Sequence, residues 1–85
     1  MCKLSDLRKQ IDEIDEQLAA LLKRRFSVAE KIGEYKKANA IVVTDGGRES
    51  AVYEHIDGFF DDDLQKKEAK KVYMQIIASS KELQK

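Results

Sequence analysis

Arg25, Lys36, Ser80, Gln84 and the Arg48-Glu49 pair are the residues whose types and spacing are suited to chemistry. Arg25 interrupts an otherwise apolar heptad repeat. A lone guanidinium there is an unpaired charge facing a core, which is costly. Two readings fit it. In one, Arg25 pairs with an acid across a helical bundle or snorkels to its edge. In the other, it belongs to an anion-binding site inside the bundle.

Lys36 lies eleven residues beyond Arg25. That is almost three helical turns, so both project from nearly one face with Cα atoms about 16 Å apart. Two long side chains so placed can lean together and hold opposite ends of one small dianion. Ser80 and Gln84, four apart, share one face of another helix. Arg48-Glu49 follows the glycine pair Gly46-Gly47, with Asp45 just before it. Arg8 stands 28 residues before Lys36, about 42 Å away along one helix. It cannot reach a ligand held by Arg25 and Lys36 of its own chain. In an antiparallel two-fold dimer it enters the partner's site, and symmetry then gives two equal sites.

These residues need elements to position them. Counting in sevens from Leu4, one heptad position reads Leu4, Ile11, Leu18, Arg25, Ile32, and the other Leu7, Ile14, Leu21, Val28, Tyr35. The repeat predicts one amphipathic helix from Ser5 or Asp6, both good caps, to about Asn39, with a seam that must pack against other helices. At about 50 Å it is twice the width of about 25 Å expected for a globule of this size. Such a helix needs a partner chain. Gly33 inside it costs about 1 kcal/mol and marks close approach of another backbone.

Ile41-Val42-Val43 has no partner strand and reads as an extended linker tucking apolar side chains under the helices. Thr44 or Asp45 caps a second helix from about Gly47, with Val52, Tyr53 and Ile56 at helical spacing and Gly58 as its stop. Asp61-Asp62-Asp63 opens a third helix, its acids favourable at the positive end of the helix dipole. Its inward face reads Leu64, Ala69, Val72, Tyr73, Ile76, Ile77 and Leu83. The expected fold is all-α: three helices, long, short and medium, in one domain spanning residues 1–85, paired as an intertwined homodimer.

Composition removes several function classes. Sixteen basic residues balance sixteen acidic ones. A balanced chain does not advertise binding to nucleic acid or an anionic membrane. No stretch has the length of an apolar membrane span, and the N-terminus lacks a signal-peptide layout. Cys2 is the one cysteine, which fits a reducing cytoplasm and supports neither a disulfide nor a metal site. His55, the one histidine, reads as a surface or structural residue. There is no Ser-His-Asp set, metal cluster or phosphate loop.

The run Leu-Arg-Lys-Gln-Ile-Asp-Glu-Ile-Asp-Glu-Gln-Leu, then Ile-Gly-Glu-Tyr-Lys-Lys, Arg-Glu and Ile-Ile-Ala-Ser-Ser-Lys-Glu-Leu-Gln, resembles the all-helical chorismate mutase family over nearly the whole chain. The resemblance implies an intertwined dimer with two active sites and no cofactor, rearranging chorismate to prephenate. In that match Arg8 is the arginine lent across the dimer to one carboxylate, and Arg25 holds the other. Lys36 meets a carboxylate and the ether oxygen of the breaking bond, and Gln84 the same oxygen. Glu49 takes the ring hydroxyl, with Arg48 and the Asp45 loop nearby, and Ser80 lies near the ring carboxylate. Gly46-Gly47 makes this loop looser than the family pattern. Three other readings stand beside this one: an isochorismate-pyruvate lyase on a similar scaffold, a mutase domain of a fused enzyme, and a helical dimerisation module without chemistry.

Overall fold

The computed structural model describes residues 2–85. It contains three helices, α1 (Lys3–Ala38), α2 (Gly46–Asp57) and α3 (Asp63–Gln84), and no strand among the described residues. The cap of helix α1 lies three residues before Ser5, the first of its best capping side chains. Cys2 occupies the cap position without a side-chain hydrogen bond, and Asp6 falls in the first turn. The exposed leading amides can bond to water, so Ser5 and Asp6 are not needed as caps. Asp6 still opposes the helix dipole.

The end of α1 is closed by backbone geometry. Ile41 N–H donates to the Lys36 carbonyl at 2.8 Å and Ala40 N–H to the Lys37 carbonyl at 3.4 Å. This is a Schellman turn, and Ala40 takes its left-handed position with φ 54°. Asp45 caps α2, accepting from Arg48 N–H at 3.0 Å. Asp62 caps α3, accepting from the amides of Leu64 and Gln65. The acid triplet therefore opens the third helix as its sequence predicts. Gly58 closes α2, though in a right-handed conformation with φ −63°.

Helix α3 is the element on which both others pack. Helices α2 and α3 run antiparallel, with Glu49 against Lys81, Tyr53 under Lys70, and Asp57 beside Lys66. The C-terminal turns of α3 cross the second half of α1, where Arg25 meets Ser80 and Lys36 meets Gln84. Ala29, Gly33, Ile77 and Ser80 are buried at this crossing.

Apart from Arg25, Val28 and Ile32, which line a cleft beside α3, the heptad seam does not face α3. Its nine apolar members on α1, Leu4 through Tyr35, are between 43 % and 64 % exposed. A shorter stripe, Leu22, Arg25, Phe26, Ala29, Gly33 and Lys36, carries the buried and half-buried positions instead. Arg25 lies on the border between the two faces. On α3, Ala69, Tyr73, Ile76 and Ile77 turn inward as expected, while Leu64, Val72 and Leu83 remain exposed. The linker also departs from expectation. Only Val43 is half-buried, and Ile41 and Val42 stay exposed, because the Schellman turn projects them away from the helices.

Gly33 fixes the crossing. A Cβ there would lie 2.6 Å from both the Cα and the carbonyl oxygen of Gln84. Backbone cannot yield as a flexible side chain can, so Gly33→Ala must push the end of α3 off α1. We expect a loss of about 2 kcal/mol in denaturant unfolding, within the range for overpacking. Gly58→Ala, whose Cβ meets an ordinary 3.4 Å contact, should be near neutral. Equal stability of Gly33→Ala and the parent would contradict the close crossing.

Candidate active site

Each helix contributes a stripe at spacing i, i+3, i+4, i+7 to one cleft of about 340 Å³. From α1 come Arg25, Val28, Ala29, Ile32 and then Lys36; from α2, Asp45 at the cap with Arg48, Glu49 and Val52; from α3, Ile77, Ser80, Lys81 and Gln84. Seven of the eight residues singled out in the sequence thus line one cleft: Arg25, Lys36, Asp45, Arg48, Glu49, Ser80 and Gln84. Arg8 does not. It is exposed on the first third of α1.

Arg25 has no acid within ion-pair distance, so the salt-bridge reading fails within the protomer. Its guanidinium donates to the Ser80 hydroxyl instead. Ser80 in turn donates to the Ile76 carbonyl at 2.7 Å. A hydroxyl has one proton, and here it is spent on the helix backbone. Ser80 therefore acts as an acceptor that aims Arg25, leaving the remaining guanidinium N–H groups to the cleft.

Lys36 donates to the Val43 carbonyl at 2.8 Å and to Gln84 Oε1 at 3.1 Å. An ammonium only donates, so it settles which end of the amide it meets. The Gln84 NH₂ is the free end. Lys36 keeps one N–H of its own. Two donors thus stand side by side at one end of the cleft, held by the Schellman turn that brings Val43 back under Lys36.

Lys81 is the residue the sequence reading missed. Its ammonium lies 3.4 Å from each oxygen of Glu49. The signal was present: Lys81 falls between Ile77 and Gln84 on their own helical stripe. Lysine beside Ser80 near a chain end reads as solvated, which hid it. Asp45 directs its carboxylate to the α2 amide at Arg48, which leaves Glu49 as the acid offered to the cleft. Four cations and two acids line the cleft, so a chain of zero net charge concentrates an excess of two positive charges here. Arg25, Lys36 and Arg48 have no acidic partner among the described residues. Unpaired cations around an apolar floor of Val28, Ala29, Ile32, Val52 and Ile77 suit a small dianion with a hydrocarbon body. His55 lies outside the cleft, edge-on to Phe59 at 5.5 Å.

No helix among the described residues is long and apolar enough to cross a membrane. The chain is similar to a chorismate mutase of Methanocaldococcus jannaschii, 39% identical over 54 residues, which is 64% of this chain and 54% of that protein. It is also similar to a bifunctional chorismate mutase/prephenate dehydratase of Aquifex aeolicus, 39% identical over 56 residues, 66% of this chain and 16% of that one. The matched segments thus span about half of the first relative and a small part of the second. Among solved structures, a conserved hypothetical protein from Pyrococcus furiosus superposes with a TM-score of 0.83 at 32% identity, over 100% of this chain and 99% of that one. The family model of chorismate mutase type II matches residues 7–85, a span that takes in every residue of the cleft and Arg8, and the chain belongs to that family.

Proposed function

We propose that this protein is an isomerase that converts chorismate to prephenate, in phenylalanine and tyrosine biosynthesis, and that it acts as a homodimer in the cytoplasm. One observation carries the reading: three cations without acidic partners converge on one cleft, with the Lys36–Gln84 pair presenting two donors at one end. The rearrangement is intramolecular. It breaks a C–O bond and forms a C–C bond within one molecule, so it needs no nucleophile and no proton transfer. Two demands remain. The extended dianion must be held in its folded reactive conformer, and the charge that grows on the ether oxygen must be met.

The residues answer these demands separately. Arg25, aimed by Ser80, takes one carboxylate. The free N–H of Lys36 and the NH₂ of Gln84 meet the ether oxygen as its bond stretches. Glu49 accepts the ring hydroxyl, and Arg48 adds positive charge at the mouth. The second carboxylate is left to Arg8 of a second copy.

Three features support the second copy. The chain has a radius of gyration of 16.2 Å and extents of 58 × 26 × 15 Å, whereas a compact chain of this length has a radius near ~12 Å. It exposes 7096 Å², roughly 2,000 Å² more than a monomer of its mass should. Two copies hiding that excess would bury an area typical of obligate dimers. Finally, the exposed seam runs the length of α1, so an antiparallel partner covers it and carries its Arg8 to the far end.

Purified protein should remove chorismate absorbance and yield prephenate. Inert protein, or protein that acts on isochorismate alone to release salicylate, would overturn the activity. Lys36→Ala should lose at least about a hundredfold in turnover, the usual effect of deleting one such donor. Arg8→Ala should be similarly poor. Mixed under conditions of subunit exchange, the two variants should regain about one intact site per heterodimer. No recovery despite demonstrated exchange would exclude a shared site. Gln84→Glu supplies a pH test. A carboxyl donates only when protonated, and the neighbouring Lys36 ammonium favours its ionised form. The variant should therefore gain activity as pH falls, and a flat profile would remove Gln84 from the ether oxygen.

A further inference from the structure

We propose that Lys81 is a positioning and charge-offsetting residue for Glu49, and that it lets an anionic side chain work inside a pocket built for a dianion. The proposal rests on the mutase reading above and adds a residue to it.

Glu49 presents a physical problem. A carboxylate in a cleft that binds two carboxylates repels the ligand, and repulsion in a partly dehydrated site is stronger than in water. Yet a carboxylate is the acceptor best suited to a ligand hydroxyl. Lys81 resolves the conflict. Its ammonium sits 3.4 Å from both oxygens of Glu49, so it offsets the charge and holds the carboxylate toward α3. An ionised carboxylate offers about four lone-pair sites, so sites remain for a hydroxyl from the cleft. Arg25, Lys36 and Arg48 are then free to act on the ligand rather than on Glu49.

The alternative is an ordinary surface ion pair, and the pair's surroundings argue against it. Lys71–Glu68 lies within α3 and Lys85–Glu82 at its C-terminal end, and both are more than half exposed. Lys66–Asp57 is looser, at 3.7 Å, and lies away from the cleft. Lys81–Glu49 bridges α2 and α3, is 33% and 25% exposed, and both residues line the cleft. Lys81 also shares its stripe with Ser80 and Gln84, so the helix that aims Arg25 and Lys36 aims Glu49 too. Arg25, Lys36 and Glu49 thus each meet one residue of α3: Ser80, Gln84 and Lys81.

The test is a double-mutant cycle. Lys81→Leu should raise KM for chorismate about tenfold, as an unmasked like charge in the pocket would. Its kcat should change less than about threefold, since repulsion weakens ground-state and transition-state binding alike. In a Glu49→Gln background, the same substitution should move KM less than about twofold, because a neutral amide needs no offset. Lys81→Arg should restore the parent KM. Helical content and melting temperature, measured on every variant, show that each folds, and Lys81→Gln serves if Lys81→Leu does not. Binding of a bicyclic dicarboxylate resembling the transition state, followed by titration calorimetry, should repeat the pattern without turnover. An unchanged KM in Lys81→Leu overturns the role. So does an equal effect in both backgrounds, which would mean that Lys81 acts on the substrate alone. Parent protein that binds the dicarboxylate but leaves chorismate intact would overturn the activity and leave the calorimetric cycle to decide on Lys81.

Discussion

A helix longer than its own domain can cover is the constraint on which the rest of this molecule depends. Helix α1 has 36 residues, and α3 packs only against its second half. Nine large apolar side chains of its seam stay open to water. Within the described residues, the buried hydrophobic positions are confined to the crossing of α1 and α3, at Ala29 and Ile77. A core that small cannot offset the entropy of ordering the chain. In the proposed homodimer a second copy covers the seam, and the same covering carries Arg8 from one end of its helix to the cleft at the other. Stability and chemistry therefore rest on one surface.

The cleft is an outcome of helical periodicity. Three helices offer residues at the same spacing, and their polar members meet because the crossing is close. Gly33 makes that closeness possible, since the backbone of Gln84 occupies the space a side chain would take. The amide of Gln84 then reaches Lys36, and Ser80 reaches Arg25. The polar groups of α3 serve first to orient the cations of α1. An arrangement fixed before substrate arrives suits a reaction whose barrier is lowered by conformation and electrostatics.

Much of this was legible in the chain, for identifiable reasons. Heptad positions report the seam because a uniform period survives any local context. Gly33 was readable as a close approach because a mid-helix glycine is otherwise a net loss. Arg25 stood out because it breaks an apolar pattern, although the pattern alone left its partner open between an acid and an anion. Caps were legible at Asp45, an acid just before a glycine pair, and at Asp62, inside an acid triplet, and misread at Ser5 and Asp6, where exposed amides need no side-chain partner. Ile41 and Val42 misled because β-branched residues suggest burial, whereas the left-handed turn at Ala40 directs them outward. The stripe that packs on α3 was hidden because Ala29 and Gly33 are small and Arg25 and Lys36 are charged. Lys81 escaped because its value lies in a partner on another helix.

The most direct measurement of the central claim is sedimentation equilibrium combined with helical circular dichroism across a dilution series. Interlocked copies predict a species of twice the 9.7 kDa chain mass, with helix lost in step with dissociation. A fully helical particle of single-chain mass, unchanged on dilution, would contradict the account.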